Sequence, residues 1–205
     1  MAITLTTLPS QPATFFKPQA LKSSTISPPK VSPTAPTESS LLLTLLIYRF
    51  GIFRDRWALF LRRSPTDPTG ILLHMRDDGD GQFRFEIKRN YDTRMAAAPH
   101  PAMIDLAWVG KENFGDDNEE NMWKKGVYFV ERPGVPTCRF EEVIARAGGE
   151  GFMGSVYAQV QKEGYWLRPA NASCQLWVIE AVQRLVVEGM VGEEVLGFLR
   201  ARRQQ

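Results

Sequence analysis

Two side chains in this sequence have the types that covalent chemistry uses. Cys174 stands in the run Asn171-Ala-Ser-Cys-Gln-Leu-Trp177, and His74 in Gly70-Ile-Leu-Leu-His-Met75. A thiol at the first turn of a helix lies against unpaired backbone N–H groups, which lower its pKa and make it a nucleophile. A neighbouring imidazole can take the thiol proton and return it to a leaving group, which is the chemistry of acyl transfer and of hydrolysis through a thioester. A third residue complicates this. Arg56, in Arg54-Asp-Arg-Trp57, lies upstream where a base for the thiol is wanted. Its guanidinium stays protonated, so it can hold a thiolate or a carboxylate by charge but cannot shuttle a proton. The other histidine, His100, sits between prolines in Ala98-Pro-His-Pro101 and reads as a solvated loop residue. Without a partner, Cys174 reads as a small buried thiol on the same helical face as Trp177 and Ala181.

The elements that must position these residues follow from periodicity. Leu41–Phe50, Trp57–Leu61 and Ile71–Met75 are dense apolar runs that predict strands, the second buried on both faces. Asp77-Asp-Gly-Asp-Gly81 predicts a turn, and beyond it Phe83, Phe85 and Ile87 alternate with Arg84, Glu86 and Lys88 as a half-buried strand does. Ile104–Val109 and Val127–Val130 are further strands, with Trp123 expected to tuck back from the polar loop between them. From Thr137 the period becomes helical. Phe140, Val143, Ile144 and Ala147 share one face, and Met153, Val156, Tyr157 and Val160 share another. Cys174, Trp177, Val178, Ala181, Val182 and Leu185 form the longest face, expected to open with Ser173 as cap and to close at Gly189. A last helix carries Val195, Leu196 and Leu199, ending in Arg200, Arg202 and Arg203. Strands first and helices afterwards predict an α+β domain with a largely antiparallel sheet.

The 205 residues, 43% hydrophobic and 11% aromatic, suffice for one ordinary core, placed at 41–205. Residues 1 to about 40 are rich in Ser, Thr and Pro with Glu38 as their only acid, and predict a disordered tail. The tail's basic, acid-poor composition also permits a mitochondrial transit peptide, although it holds three lysines and no arginine. Leu41–Ile47 is too short and too late for a membrane span or secretory signal. Cys138 and Cys174 lack disulfide or zinc spacing, which suits a reducing compartment, cytoplasmic or nuclear. A net charge of +2 with dispersed arginines gives no nucleic-acid signature. No cofactor or metal is implied. Asp77–Gly81 lacks the glycine and the terminal glutamate of a calcium loop, Asp116–Glu120 reads as solvated surface, and Gly148–Gly151 follows a helix where a phosphate loop would precede one.

The order of three motifs resembles a set of uncharacterised fungal proteins. These are Trp-Ala-Leu-Phe-Leu at 57–61, Gly-x-Leu-Leu-His-Met at 70–75 and Cys-Gln-x-Trp at 174–177. The usual pattern of that set is Asp-His-Trp-Ala-Leu, Gly-x-x-x-His-Val and Asn-Cys-Gln-x-Trp, and the resemblance covers about residues 41–190. More distantly it looks like the circularly permuted papain-like group that includes the lecithin:retinol acyltransferase relatives and the PPPDE peptidases. The resemblance implies that Cys174 matches the nucleophile, that His74 matches a second histidine, and that Arg56 occupies the place of the first. Loss of such a base costs about 10²–10⁴-fold in rate. The expectation is therefore a papain-like frame with degenerate catalysis that binds a peptide, an acyl-bearing ligand or a protein partner through Arg56, Trp57, Gln175 and Trp177. The alternative is an active thiol hydrolase or acyltransferase using Cys174 with His74.

Overall fold

The computed structural model describes residues 27–49, 55–77, 83–95, 100–115, 122–123, 126–131, 134–148 and 169–203. The apolar runs form six strands, β1 (Leu41–Tyr48), β2 (Arg56–Arg62), β3 (Thr69–Asp77), β4 (Phe83–Asp92), β5 (Ala102–Val109) and β6 (Phe129–Glu131). All neighbours are antiparallel, in the order β5-β1-β2-β3-β4-β6. Three helices follow among the described residues, α1 (Arg139–Ala145), α2 (Pro169–Val187) and α3 (Glu193–Arg203). The chain is thus an α+β fold of the expected kind. Of the expected turn Asp77–Gly81 all but Asp77, the acidic group Asp116–Glu120, the expected helix at Met153–Val160 and all but Gly148 of the run Gly148–Gly151 fall outside the described residues. So do residues 1–26 of the expected tail. In its described part the carbonyl of Ser32 accepts the indole N–H of Trp108 at 2.8 Å. No helix among the described residues is long and apolar enough to cross a membrane.

The helices lie on one face of the sheet, and strand alternation selects what they cover. Leu43, Leu45, Ile47, Trp57, Leu59, Leu61, Ile71, Leu73, Met75 and Ile87 join Phe140, Ile144, Trp177, Val178, Ala181, Val182 and Leu199 in one buried core. Trp123 is buried there too, as its sequence setting predicts. The other face holds a smaller cluster of Leu46, Ala58, Phe60 and Leu72, edged by Tyr48 and Tyr91. Both faces of β2 are therefore buried, which explains its unbroken apolar run. Gly70 is required by this second cluster, because a Cβ there would stand 2.2 Å from the Leu61 carbonyl oxygen and 2.5 Å from the Phe60 ring.

The α2 helix ends as Gly189 predicts. Gly189 has φ +71°, its N–H donates to the Val186 carbonyl, and the Met190 N–H donates to that of Leu185, a Schellman closure. Its beginning differs from the expectation. The helix starts at Pro169, whose missing N–H and fixed φ suit a first helical position, so Cys174 is the sixth helical residue and Ser173 is not the cap.

Two charged residues on β4 are buried, of which only Glu86 lies where alternation expects the surface. Glu86, expected at the surface, is 1% exposed, and Arg89 is fully buried. Arg89 holds Glu141 of α1 through two bonds, of 2.8 and 2.9 Å, with both side chains inaccessible to solvent. It also donates to the carbonyls of Met122 and Val135, while Glu141 accepts from the N–H and hydroxyl of Thr137. Next to it Asn90, at φ +51°, donates to the carbonyls of Trp123 and Val127. These two residues fasten Met122, Trp123, Val127, Val135 and Glu141 to the sheet. Glu141→Ala strands a buried guanidinium and is expected to cost about 3–5 kcal/mol. The double change Arg89→Met, Glu141→Leu removes both charges but still orphans the Met122 carbonyl and the Thr137 N–H, each worth about 1–3 kcal/mol. Urea unfolding should show it recovering only part of the loss; full recovery would contradict this network.

Candidate functional site

Leu73 and Met75 point into the helix-covered core, so His74, between them, points to the opposite face of β3. The partner of His74 is Glu86, directly across from it on β4, with Nε2 to Oε2 at 2.6 Å. A carboxylate accepts only, so Nε2 carries the proton and Nδ1 is left as the basic nitrogen. Glu86 is also 3.5 Å from Arg76 and 3.3 Å from Lys88. Two fixed cations already compensate the carboxylate, and His74 need not be charged to do so.

Burial dominates the imidazole. It lowers the His74 pKa below its usual value, outweighing the hydrogen bond to Glu86, with Lys88 and Arg56 acting in the same direction as burial. Arg56 belongs to this face as well. Its neighbour Trp57 is in the core, it pairs with Tyr48 across the strands, and its charge acts on both His74 and Tyr48. The Tyr48 and Tyr91 hydroxyls meet at 3.4 Å, and burial first, then that hydrogen bond, raises the Tyr48 pKa. Among the described residues, the buried Glu86 carboxylate thus has Arg76 and Lys88 beside it, and Arg56 lies on the same face.

Cys174 lies on the other side of the sheet. It is 1% exposed, and its Sγ is 3.8 Å from the Met75 carbonyl oxygen, a weak S–H donor contact. At this level β2 and β3 have separated: their pairing runs from Arg62↔Gly70 to Leu59↔Leu73 and goes no further. The next residue of α2 meets the chain entering β2, the Gln175 amide donating to the Asp55 carbonyl at 2.8 Å. Cys174 and Gln175 therefore tie α2 to the parted ends of the two strands. Trp177, one turn on, is fully buried with its ring centroid 5.8 Å from that of Phe85.

The six residues singled out by sequence divide into two groups. Arg56 and His74 share one face of the sheet, while Trp57 and Trp177 belong to the helix-covered core and Cys174 and Gln175 are buried residues of α2. The sequence reading let His74 sit beside the thiol; in the structure the His74 ring is held by Glu86, on the face away from Leu73 and Met75, and the thiol of Cys174 on α2 meets the Met75 carbonyl. The first-turn setting of Cys174 is corrected too, because the dipole effect fades beyond the first turn. Glu86 was missed by the sequence reading. Counting outward from the expected turn Asp77–Gly81 would pair His74 with Arg84; the observed register, Asp77↔Phe83, pairs it with Glu86 instead.

The His74 shift fixes a pH dependence. An unfolded imidazole titrates at about 6.5, whereas the folded ring resists protonation. The stability that the neutral ring contributes is fully present above the unfolded value and is lost as pH falls toward the folded one. The urea midpoint should fall between about pH 7 and pH 5, and His74→Gln should flatten that fall. An unchanged slope in the variant would contradict the assignment.

No curated protein and no solved structure matches the chain. A family model matches residues 43–192, from the third residue of β1 to the turn before α3, and the protein therefore belongs to the DUF6540 family, a family of unknown function.

Proposed function

We propose that this protein acts by binding, on a permuted papain-like frame that no longer performs thiol catalysis. The observation that carries the reading is the separation of the two reactive side chains. Cys174 is buried beneath α2 and bonded to the Met75 carbonyl, while His74 leaves the opposite face of the sheet and is held by Glu86. Thiol catalysis needs nucleophile and base within hydrogen-bond reach of each other and of a substrate carbonyl. Arg56 offers no substitute base, because it cannot give up its proton, and it lies on the His74 side.

The ligand is a peptide, an acyl-bearing molecule or a segment of a protein partner. Arg56 supplies a planar fork for a carboxylate, and Arg76 and Lys88 lie beside Glu86 on the same face. The interior residues Trp57, Gln175 and Trp177 support the site from behind and do not contact the ligand.

Alkylation of Cys174 in a Cys138→Ser background tests the loss of thiol chemistry. The substitution removes the other thiol, itself buried and pushed up to about 12, chiefly by burial and then by Glu141. Labelling of Cys174 should be negligible until the protein unfolds, and thioester and isopeptide substrates should not turn over. Rapid native labelling that titrates well below about 8.5, or turnover that Cys174→Ala abolishes, would instead establish the thiol hydrolase or acyltransferase using Cys174 with His74.

A further inference from the structure

β5 stands at one end of the strand order, and among the described residues only β1 pairs with it. In an antiparallel ladder alternate residues turn their N–H and C=O to opposite sides, so half of the backbone groups of Ala102–Val109 point outward from the sheet. Such an edge is a template for a further strand. Lysine or proline on the strand is the usual guard against that, and the run Ala-Met-Ile-Asp-Leu-Ala-Trp-Val holds neither.

The edge instead carries a bulge and a single charge. Leu43 pairs with Ala107 and Thr44 with Asp105, which leaves Leu106 as the extra residue. Met103, Asp105 and Trp108 pair with Leu46, Thr44 and Leu42, which alternate along β1 with the core residues Leu41, Leu43, Leu45 and Ile47. The three therefore share the face away from the helix-covered core. Oδ1 of Asp105 accepts from the Thr44 hydroxyl at 2.9 Å and from Arg62 at 2.5 Å, while Oδ2 accepts from no described residue. These contacts hold the carboxylate, whose side chain is 30% exposed, and leave one oxygen for an arriving donor. Met103, 37% exposed, stands two residues away on the same face.

That charge decides what fits. The middle of β5 falls between Asp105 and Leu106, so a second copy added about a two-fold axis would set two Asp105 carboxylates on adjacent rungs, a like-charge contact that destabilises a sheet. A strand carrying a cation reverses the sign. We infer that the outer edge of β5 takes an extended segment of a partner protein by strand addition, with a lysine or arginine of that segment on Asp105 and apolar residues two positions to either side of it. Backbone hydrogen bonds hold the segment, Asp105 selects its charge, and Met103 and Trp108 meet its apolar residues. The site shares no residue with Arg56, His74 and Glu86, so this inference and the proposed function can fail separately.

The test is a titration of the full chain with the blocked peptide Thr-Val-Thr-Lys-Thr-Val-Thr, followed by nuclear magnetic resonance and by amide hydrogen exchange of β5. The peptide should saturate one site and slow exchange at alternate amides of Ala102–Val109. A peptide with glutamate in place of the lysine should bind at least about tenfold more weakly. N-methylation of one alternate set of peptide residues should cost at least about tenfold, and of the other set almost nothing, because only one set faces the sheet. Asp105→Asn, which keeps a carbonyl for Arg62 and Thr44, should erase the preference for lysine over glutamate. Met103→Lys, at an exposed position, should weaken the lysine peptide about fivefold by guarding the edge. Equal binding of the lysine and glutamate peptides, tolerance of both N-methylated sets, an undiminished lysine preference in Asp105→Asn, or no saturable signal at millimolar peptide would each overturn the proposal. So would outward amides already protected in the free chain: protection that fades on dilution assigns the edge to a second copy, and protection that persists assigns it to the chain's own residues.

Discussion

Consecutive side chains of a strand leave opposite faces of the sheet, and in this protein the described helices cover one face. That constraint on β3 governs which reactive groups can meet. Leu73 and Met75 are both needed in the core beneath α2, so the residue between them must face away. A one-residue slip would bring His74 toward the helix-covered face only by expelling three large apolar side chains, Ile71, Leu73 and Met75, from the core, at about 1.5–3 kcal/mol each. The burial of Leu73 and Met75 outweighs a thiol–imidazole contact, and the histidine is fixed on the far face.

The parted ends of β2 and β3 show what the cysteine does instead. Where the ladder stops, backbone carbonyls need partners. The Met75 carbonyl receives the Cys174 thiol and the Asp55 carbonyl the Gln175 amide, so successive α2 residues close the opening from above. On the far face Glu86 plays a comparable part, gathering His74, Arg76 and Lys88 around one buried carboxylate. Arg89 and Asn90 then secure Met122, Trp123, Val127, Val135 and Glu141, and the Trp123 ring in turn carries Arg63.

Much of the fold was legible because it follows from local pattern. The doubly buried β2, the hairpin pairing of β3 with β4, the long α2 face and the Gly189 terminator all rest on the types of near neighbours in sequence. The candidate site was legible only in part. Arg56 and His74 do share a face, but periodicity cannot say which side of a strand a later helix will cover, and so it could not part Cys174 from His74. Arg89 and Glu141 are 52 residues apart, and no local pattern pairs them. The start of α2 was obscured by polar residues that are all acceptable caps, although Pro169 marked the first helical position.

The most direct test of the central claim, that the sheet divides the thiol from the imidazole, is the titration of the His74 ring by nuclear magnetic resonance in the wild type, in Cys174→Ser and in Glu86→Gln. The arrangement predicts the same His74 titration in wild type and Cys174→Ser, and a displaced one in Glu86→Gln, whose side chain contacts the ring directly. A His74 titration that moves when the thiol is replaced, and stays when Glu86 is, would contradict it.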